Sequence, residues 1–212
     1  MTRPLPRLRF AMPVVLGVAL LLAACSSADR SASPAQSADG ASSCATGGDC
    51  QVGDVGPGGG AVFYVAPQTQ SWGRYLEAAP AGWNGGEDPE IAWCTTSAAR
   101  GLVNTRGGIG DGANNTRAII NSCGAESAAG VAAAYRGGGK EDWFLPAQAE
   151  LQAMYQMRSA VAGMAPTLYW TSSEEGGMQS DHINAWYQRF DTGSTYAERK
   201  AYRYAVRPVR AF

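Results

Sequence analysis

The sequence predicts an α+β fold in one domain. Runs rich in β-branched and aromatic residues lie at both ends of the region beyond residue 50, segments of helical periodicity occupy its middle, and glycine-rich turns punctuate both. With 45% hydrophobic residues, and 6 Trp, 9 Tyr and 5 Phe among 212, the chain can build one substantial core. A domain of about 150 residues buries roughly 70% of its unfolded surface.

The first predicted strand is Ala61-Val62-Phe63-Tyr64-Val65, entered through Gly56-Pro57-Gly58-Gly59-Gly60. These glycines precede a strand instead of joining a strand to a helix, and no Gly-Lys-Ser/Thr follows, so they are not a phosphate loop. Arg74 to Ala78 fits as the hairpin partner. Gly82 to Gly110 reads as loop, with Trp83 and Trp93 as its anchors in the core. Asp111 or Gly112 caps a helix from Ala113 to about Ser122, in which Ala118, Ile119 and Cys123 share a face. A second helix runs from Ser127 to Tyr135 and stops at Gly137-Gly138-Gly139. A third starts at Pro146 or Ala147, where proline suits the first turn, and carries Leu151, Met154, Tyr155 and Arg158 at helical spacing. Four strands follow: Leu168–Thr171, Ile183–Phe190, Thr195–Arg199 and Tyr204–Arg210, with Asp191-Thr192-Gly193 as a hairpin turn. Pro208 places the last strand at an edge or ends it.

Ahead of this domain, Arg3, Arg7 and Arg9 precede the apolar run from Phe10 to Leu22, and Leu22-Ala23-Ala24-Cys25 matches the lipobox of bacterial lipoproteins. Residues 1–24 are expected to be a cleaved signal peptide, since the run is shorter than the roughly 20 apolar residues of a membrane span. Cys25 is the expected lipidation site, which makes the chain exported and lipid-anchored to the bacterial cell membrane or outer membrane. Ser26 to Ser43 holds almost no large apolar residue and reads as a flexible tether; residues 25–49 precede a domain at 50–212. Of the 17 basic residues three fall in the signal peptide, so 14 basic face 18 acidic residues from Cys25 onward, a net charge of −4. That balance argues against nucleic acid as a partner and leaves the lipid anchor as the contact with membrane.

Lipidation of Cys25 leaves four cysteines, an even number that reads as disulfides in an exported chain. Cys44–Cys50 and Cys94–Cys123 each close a local loop and are the expected pairs among three connectivities. No Cys-x-x-Cys occurs and His182 is the single histidine, so no zinc site is expected and no metal ligand is assigned. His182 is expected in an exposed loop beside Asp181, no nucleophile or zincin motif is present, and no catalytic residue or cofactor is assigned. Glu174-Glu175 would serve glycoside hydrolysis only with another carboxyl about 5–9 Å across a cleft.

Three segments taken together resemble a known family. They are Asp142-Trp143-Phe144-Leu145-Pro146 with Glu150-Leu151 and Tyr155; Tyr169-Trp170-Thr171-Ser172-Ser173-Glu174 with Ala185-Trp186 and Phe190; and Tyr204-Ala205-Val206-Arg207-Pro208-Val209-Arg210-Ala211-Phe212. Their order is similar to the C-terminal domain of the bacterial collagen-like adhesin Lcl, and the Gly-Pro-Gly-Gly-Gly-Ala-Val-Phe-Tyr-Val opening fits as well. The resemblance implies a C-type-lectin-like fold, short helices packed on a small twisted, mostly antiparallel sheet with the N- and C-terminal strands close together. It also implies binding of sulfated glycosaminoglycans and a homo-oligomer, a trimer. This chain lacks the collagen-like Gly-x-y stalk of that adhesin.

Two jobs are expected of these residues. Trp143 and Trp170 belong to the core, and Asp142 and Glu150 are expected to pair with Arg207 and Arg210 as scaffold, because an unpaired charge is costly to desolvate. Asn184, Trp186, Gln188, Arg189, Tyr196, Lys200, Tyr202 and Arg203 combine aromatic faces with amide and cationic donors and form the expected ligand face. From Arg189 to Phe212 six basic residues outnumber two acidic ones, a local +4. The leading reading is a non-catalytic, adhesin-like binding module for a glycan or an anionic, even sulfated, cell-envelope polymer. Its rivals are an enzyme of the formylglycine-generating type, a glycan hydrolase, and an envelope protein-interaction module.

Overall fold

The computed structural model of the chain describes residues 44–95, 101–176 and 181–212. The expected signal peptide, Cys25 and the tether up to Ser43 lie outside the described residues. The fold is α+β, with three short α-helices and two small sheets among the described residues.

Strands β1 (Ala61–Gln70) and β2 (Gly73–Ala78) form the expected antiparallel hairpin. Their glycine-rich entry is shaped by close packing. A Cβ on Gly60 would fall 2.1 Å from the Ala78 carbonyl, and the N–H groups of Gly58 and Gly60 donate to the buried Glu77 carboxylate. A third strand from the far end of the sequence, β8 (Val209–Ala211), completes the sheet in the order β1-β2-β8.

The second sheet has the order β3-β7-β4-β5-β6, with β3 at Glu90–Ala92, β4 at Leu168–Glu174, β5 at Asn184–Arg189, β6 at Thr195–Arg199 and β7 at Arg203–Ala205. Its neighbours are antiparallel except β4 and β7, which run parallel. Strand β3 lies within the stretch expected to be loop; three residues paired only with β7 are too short to leave a periodic signal. The single strand expected from Tyr204 to Arg210 is two strands. Val206-Arg207-Pro208 carries the chain from one sheet to the other, and Pro208, with no N–H to give, accepts at its carbonyl from Ala79 at 2.9 Å.

Helix α1 spans Gly112–Cys123, α2 Ala128–Ala134 and α3 Gln148–Gln156. Ser127 caps α2, its Oγ accepting from the Gly130 N–H at 3.1 Å. Pro146 precedes α3 instead of opening it; its carbonyl accepts from the Ser172 N–H on β4, and Ala147 takes the cap position.

Alternation along β4 distributes the core over both faces of the larger sheet. Trp170 packs with Trp93, Leu145 and Val206 and with Ile119, Cys123, Ala128 and Ala132 of α1 and α2. Tyr169, on the other face, packs with Leu151 and Met154 of α3 and with Phe63, Leu76 and Val209 of the smaller sheet. The Cys94–Cys123 disulfide joins the segment after β3 to the end of α1, and Cys44–Cys50 packs with Val62 and Tyr75.

Candidate functional site

The carboxyl-terminal arginines are structural. Arg207 is buried, with its Nε 2.8 Å and its Nη2 2.7 Å from the Asp88 carboxylate, and it also donates to the carbonyls of Ala79, Ala162 and Gly163. Arg210 donates to Glu77 at 2.9 Å and to Asp142. Burial pulls Arg210 down, but Asp142 and Glu77 outweigh it and hold the guanidinium above its ordinary value. Burial pushes Glu77 above the usual carboxylate range, while Arg210 and the two glycine N–H groups pull it back. The expected pairing of Glu150 with these arginines is not found. Glu150 is buried elsewhere and accepts from the backbone N–H groups of Gly110, Gly112 and Ala147. Asp88, the real partner of Arg207, lies in the segment expected to be loop, where no local pattern marks it.

Two residues expected on the ligand face are interior. Lys200 is fully buried, its Nζ donating to the Glu174 carboxylate and to the carbonyls of Gly101 and His182 while lying 4.9 Å from the Trp93 ring centre. Burial lowers its pKa, and Glu174 only partly restores it. Gln188 is also fully buried, its Nε2 donating to Gln152 of α3 at 2.6 Å. Glu174, half of the carboxylate pair noted in the sequence, is held by Lys200 and by the N–H groups of Val103 and Asn104, and Glu175 accepts from Asn184. His182 is half-buried with φ +52°, not an open loop residue.

The β5–β6 hairpin decides what the remaining candidates can do together. Its register pairs Asn184 with Arg199, Trp186 with Ala197, Tyr187 with Tyr196 and Gln188 with Thr195. Period-two alternation therefore puts Asn184 and Trp186 on the Gln188 side, and Arg189 and Tyr196 on the opposite side. The eight expected residues do not form one surface. The Tyr196 side instead carries a row of rings: Tyr196 to Tyr187 at 6.1 Å, Tyr187 to Tyr204 at 4.8 Å and Tyr204 to Tyr202 at 6.5 Å between centroids. Tyr187 and Tyr204 both contact the buried Trp170, at 6.2 and 4.5 Å. Tyr196 and Tyr202, at 52% and 49% exposure, are open to solvent.

Tyr187 and Tyr204 are the members that sequence reasoning missed. The hairpin turn at Asp191-Thr192-Gly193 already sets Tyr187 opposite Tyr196, so alternation about that turn is the signal that identifies the first of them. Both rings are partly withdrawn from water; burial raises the Tyr187 phenol and, with Tyr187, Glu198 and Tyr202 nearby, pushes Tyr204 up to about 12.

Electrostatics around the row differ from the local count of +4. Lys200, Arg207 and Arg210 are neutralised in buried pairs, and Arg189 pairs with Asp191 at 2.7 Å. Arg203 is exposed and donates to the Glu90 carbonyl. Arg199 is exposed as well, so the cations left at the surface are Arg199 and Arg203, with Glu198 next to Arg199 in the chain, and the local excess is well below the count of +4. Among the described residues no cluster of three or more His, Cys, Asp or Glu is placed to hold a metal ion, and no helix is long and apolar enough to cross a membrane.

Residues 82–210, which contain β3 to β7, all three helices and the tyrosine row, match the family described as the Lcl C-terminal domain. The chain belongs to this family. The Lcl C-terminal match leaves out the β1–β2 hairpin, so the partner strands of β8 lie outside the matched segment. A search of curated proteins gives no match.

Proposed function

We propose that this Lcl C-terminal domain is the non-catalytic binding end of a surface-displayed, adhesin-like lipoprotein, and that it binds a glycan chain along the row Tyr196-Tyr187-Tyr204-Tyr202. The continuous aromatic row carries this reading. Tyrosine offers a flat apolar face with negative potential for the C–H face of a sugar, and a hydroxyl for its edge, at little cost in side-chain entropy. Four adjacent rings, tilted by 36–57° to one another with Tyr196 and Tyr202 the exposed members, present aromatic faces and edges to a polymer. Four of the six basic residues of the segment are paired with carboxylates, which favours stacking over charge as the main source of affinity and leaves Arg199 and Arg203 as its exposed cations. A C-type-lectin-like arrangement and lipidation at Cys25 are parts of the same proposal, the first supported by the pairing of β2 with β8, which brings the two ends of the fold together.

The test is a glycan-array screen of the full chain, heparin-like and cell-wall polymers included, followed by titration of Tyr196→Ala and Tyr202→Ala. Both variants are expected to keep stability within about 1 kcal/mol, as surface changes do, and to weaken binding about tenfold or more. Affinity should fall only modestly with added salt, because the exposed cations of the segment are limited to Arg199 and Arg203. Binding that collapses with salt and ignores both tyrosines would overturn the proposal in favour of polyanion recognition.

A further inference from the structure

On a separate part of the domain, the turn between β1 and β2 and the first half of α1 frame a groove of about 330 Å³. Phe144, Ala113 and Ala211 form its apolar lining, Trp72 its aromatic wall, and Asn114, Arg117 and Asp142 its polar rim. It shares no residue with the tyrosine row.

The wall is held in place from behind. Trp72 lies against Gly110 so closely that a Cβ there would fall 2.1 Å from the indole Cδ1, and Gly110 has φ +92°, a conformation other residues resist. Gly110 is itself fixed by the buried Glu150, one carboxylate oxygen of which accepts from the N–H groups of Gly110 at 2.8 Å and Gly112 at 3.4 Å, while the other accepts from Ala147 at 2.7 Å. A buried carboxylate thus ties the segment that supports the indole to the start of α3. Burial pushes Glu150 up to about 7, which is a cost that the arrangement carries for keeping this loop in one position.

The rim distinguishes among ligands. Arg117 donates to the Asn114 Oδ1, and Asp142 accepts from Arg210, so one cation, one carboxylate and one amide stand around the opening with no net formal charge between Arg117 and Asp142. Phosphate or sulfate groups are bound by converging cations and N–H donors, which this rim does not supply. An indole wall with Ala113 and Ala211 beside it, among the mixed donors and acceptors of Ser71, Asn114, Arg117 and Asp142, matches a pyranose ring with its C–H face and its hydroxyl perimeter. The volume is at the lower end of small-molecule sites, which run from about 300 Å³ upward, and suits a single residue. Asn114 also lines an adjoining depression of about 260 Å³ with Asn104 and Arg106, a path for a linked second residue.

We infer that this groove is a second carbohydrate site, which takes one uncharged sugar residue with its C–H face against Trp72. The inference goes beyond the proposed glycan face and does not depend on it. A domain with both sites grips a polymer along the tyrosines and a sugar residue in the groove.

The test follows the six tryptophan indole N–H signals of the full chain by NMR, with the Trp72 signal assigned by Trp72→Phe. The probes are methyl β-D-glucopyranoside, methyl β-D-galactopyranoside and N-acetylglucosamine. The expected result is a saturable shift of the Trp72 signal with at least one probe, unchanged in the Tyr196→Ala/Tyr202→Ala double variant and weakened about tenfold, or about 1.4 kcal/mol, in Arg117→Ala. Arg117 is exposed on α1, so that variant keeps the fold even if Trp72→Ala does not. No saturable shift with any of the three probes overturns the inference. So does a shift that the tyrosine variants abolish and Arg117→Ala leaves intact, since it would place the sugar on the tyrosine row. Failure of the glycan array alongside a Trp72 response would sink the tyrosine proposal and leave this one standing.

Discussion

Replacing Arg210 by alanine tests the buried ion-pair scaffold, and its cost is calculable. The change leaves Asp142, whose side chain is 57% exposed, to be solvated by water, but it leaves Glu77 fully buried with only the N–H groups of Gly58 and Gly60 to face. An unpaired buried charge of this kind costs about 3–5 kcal/mol. Glu77 has an escape, which is to take up a proton. Relative to an unfolded carboxyl near pH 4.3 that uptake costs about 1.4 kcal/mol per pH unit, hence about 4 kcal/mol at pH 7 and about 1 kcal/mol at pH 5. The lost arginine packing against Phe212, whose ring centre lies 5.5 Å from the guanidinium carbon, adds about 1 kcal/mol at either pH. The sign follows from Glu77 having a folded-state pKa above its unfolded one in the variant. Its stability is then highest at low pH and declines as pH rises; wild-type Glu77 is itself raised and shares part of that decline, so the gap from wild type widens from at most about 2 kcal/mol at pH 5 to at most about 5 kcal/mol at pH 7. Denaturant unfolding of both proteins at the two pH values measures the gap. A deficit below about 1 kcal/mol, or one that does not change with pH, would refute the scaffold argument. Adding Glu77→Gln should return part of the loss, as a coupled pair does in a double-mutant cycle.

Four further outcomes are expected. Peptide mapping without reductant should find Cys94 linked to Cys123 and Cys44 to Cys50, and serine at both 94 and 123 should cost about 3–4 kcal/mol in thermal unfolding, more than the roughly 2 kcal/mol of the shorter loop. Glu150 has a folded pKa of about 7 against an ordinary 4.5, so its contribution is complete below about pH 4.5 and is lost as pH rises through 7; wild type should lose up to about 3 kcal/mol relative to Glu150→Gln across that window, and equal pH slopes would contradict the assignment. Arg189→Ala, which breaks a solvent-exposed pair with Asp191, should leave the melting curve essentially unchanged. Cys25→Ser should move the protein out of the membrane fraction without changing its melting curve; retention in that fraction would remove the anchor.

What was legible in the sequence followed from local rules. The β1–β2 hairpin, the three helices and the β5–β6 hairpin are each set by turn residues and periodicity within about a dozen positions. Their boundaries in the structure differ mainly at ends, as with Pro146, which stands just outside α3. Non-local pairing was harder to read. Strand β3 exists because β7 returns to it, and the split between β7 and β8 at Pro208 shows only when two sheets compete for one stretch of chain. At the site the same divide holds. Trp170 and Arg207 look interior from composition, and they are. Lys200 looks exposed because isolated lysines are, and only the three-dimensional approach of Glu174 and two carbonyls makes its burial tolerable. Tyr187 was available from hairpin alternation, whereas Tyr204 reaches the row through the β7–β4 parallel pairing, which no local pattern announces.

The place of β8 in the sequence has a kinetic consequence. Glu77 and Arg210 are separated by 133 positions and Asp88 and Arg207 by 119, and both pairs close contacts between the beginning and the end of the domain. A growing chain that has not yet reached residue 207 has no third strand for the smaller sheet and no cations for Glu77 and Asp88. Loop closure over such distances is entropically expensive and slows folding. The contacts that close the smaller sheet therefore form only after the last strand has been synthesised. The residues that lock the finished domain are also those that delay it.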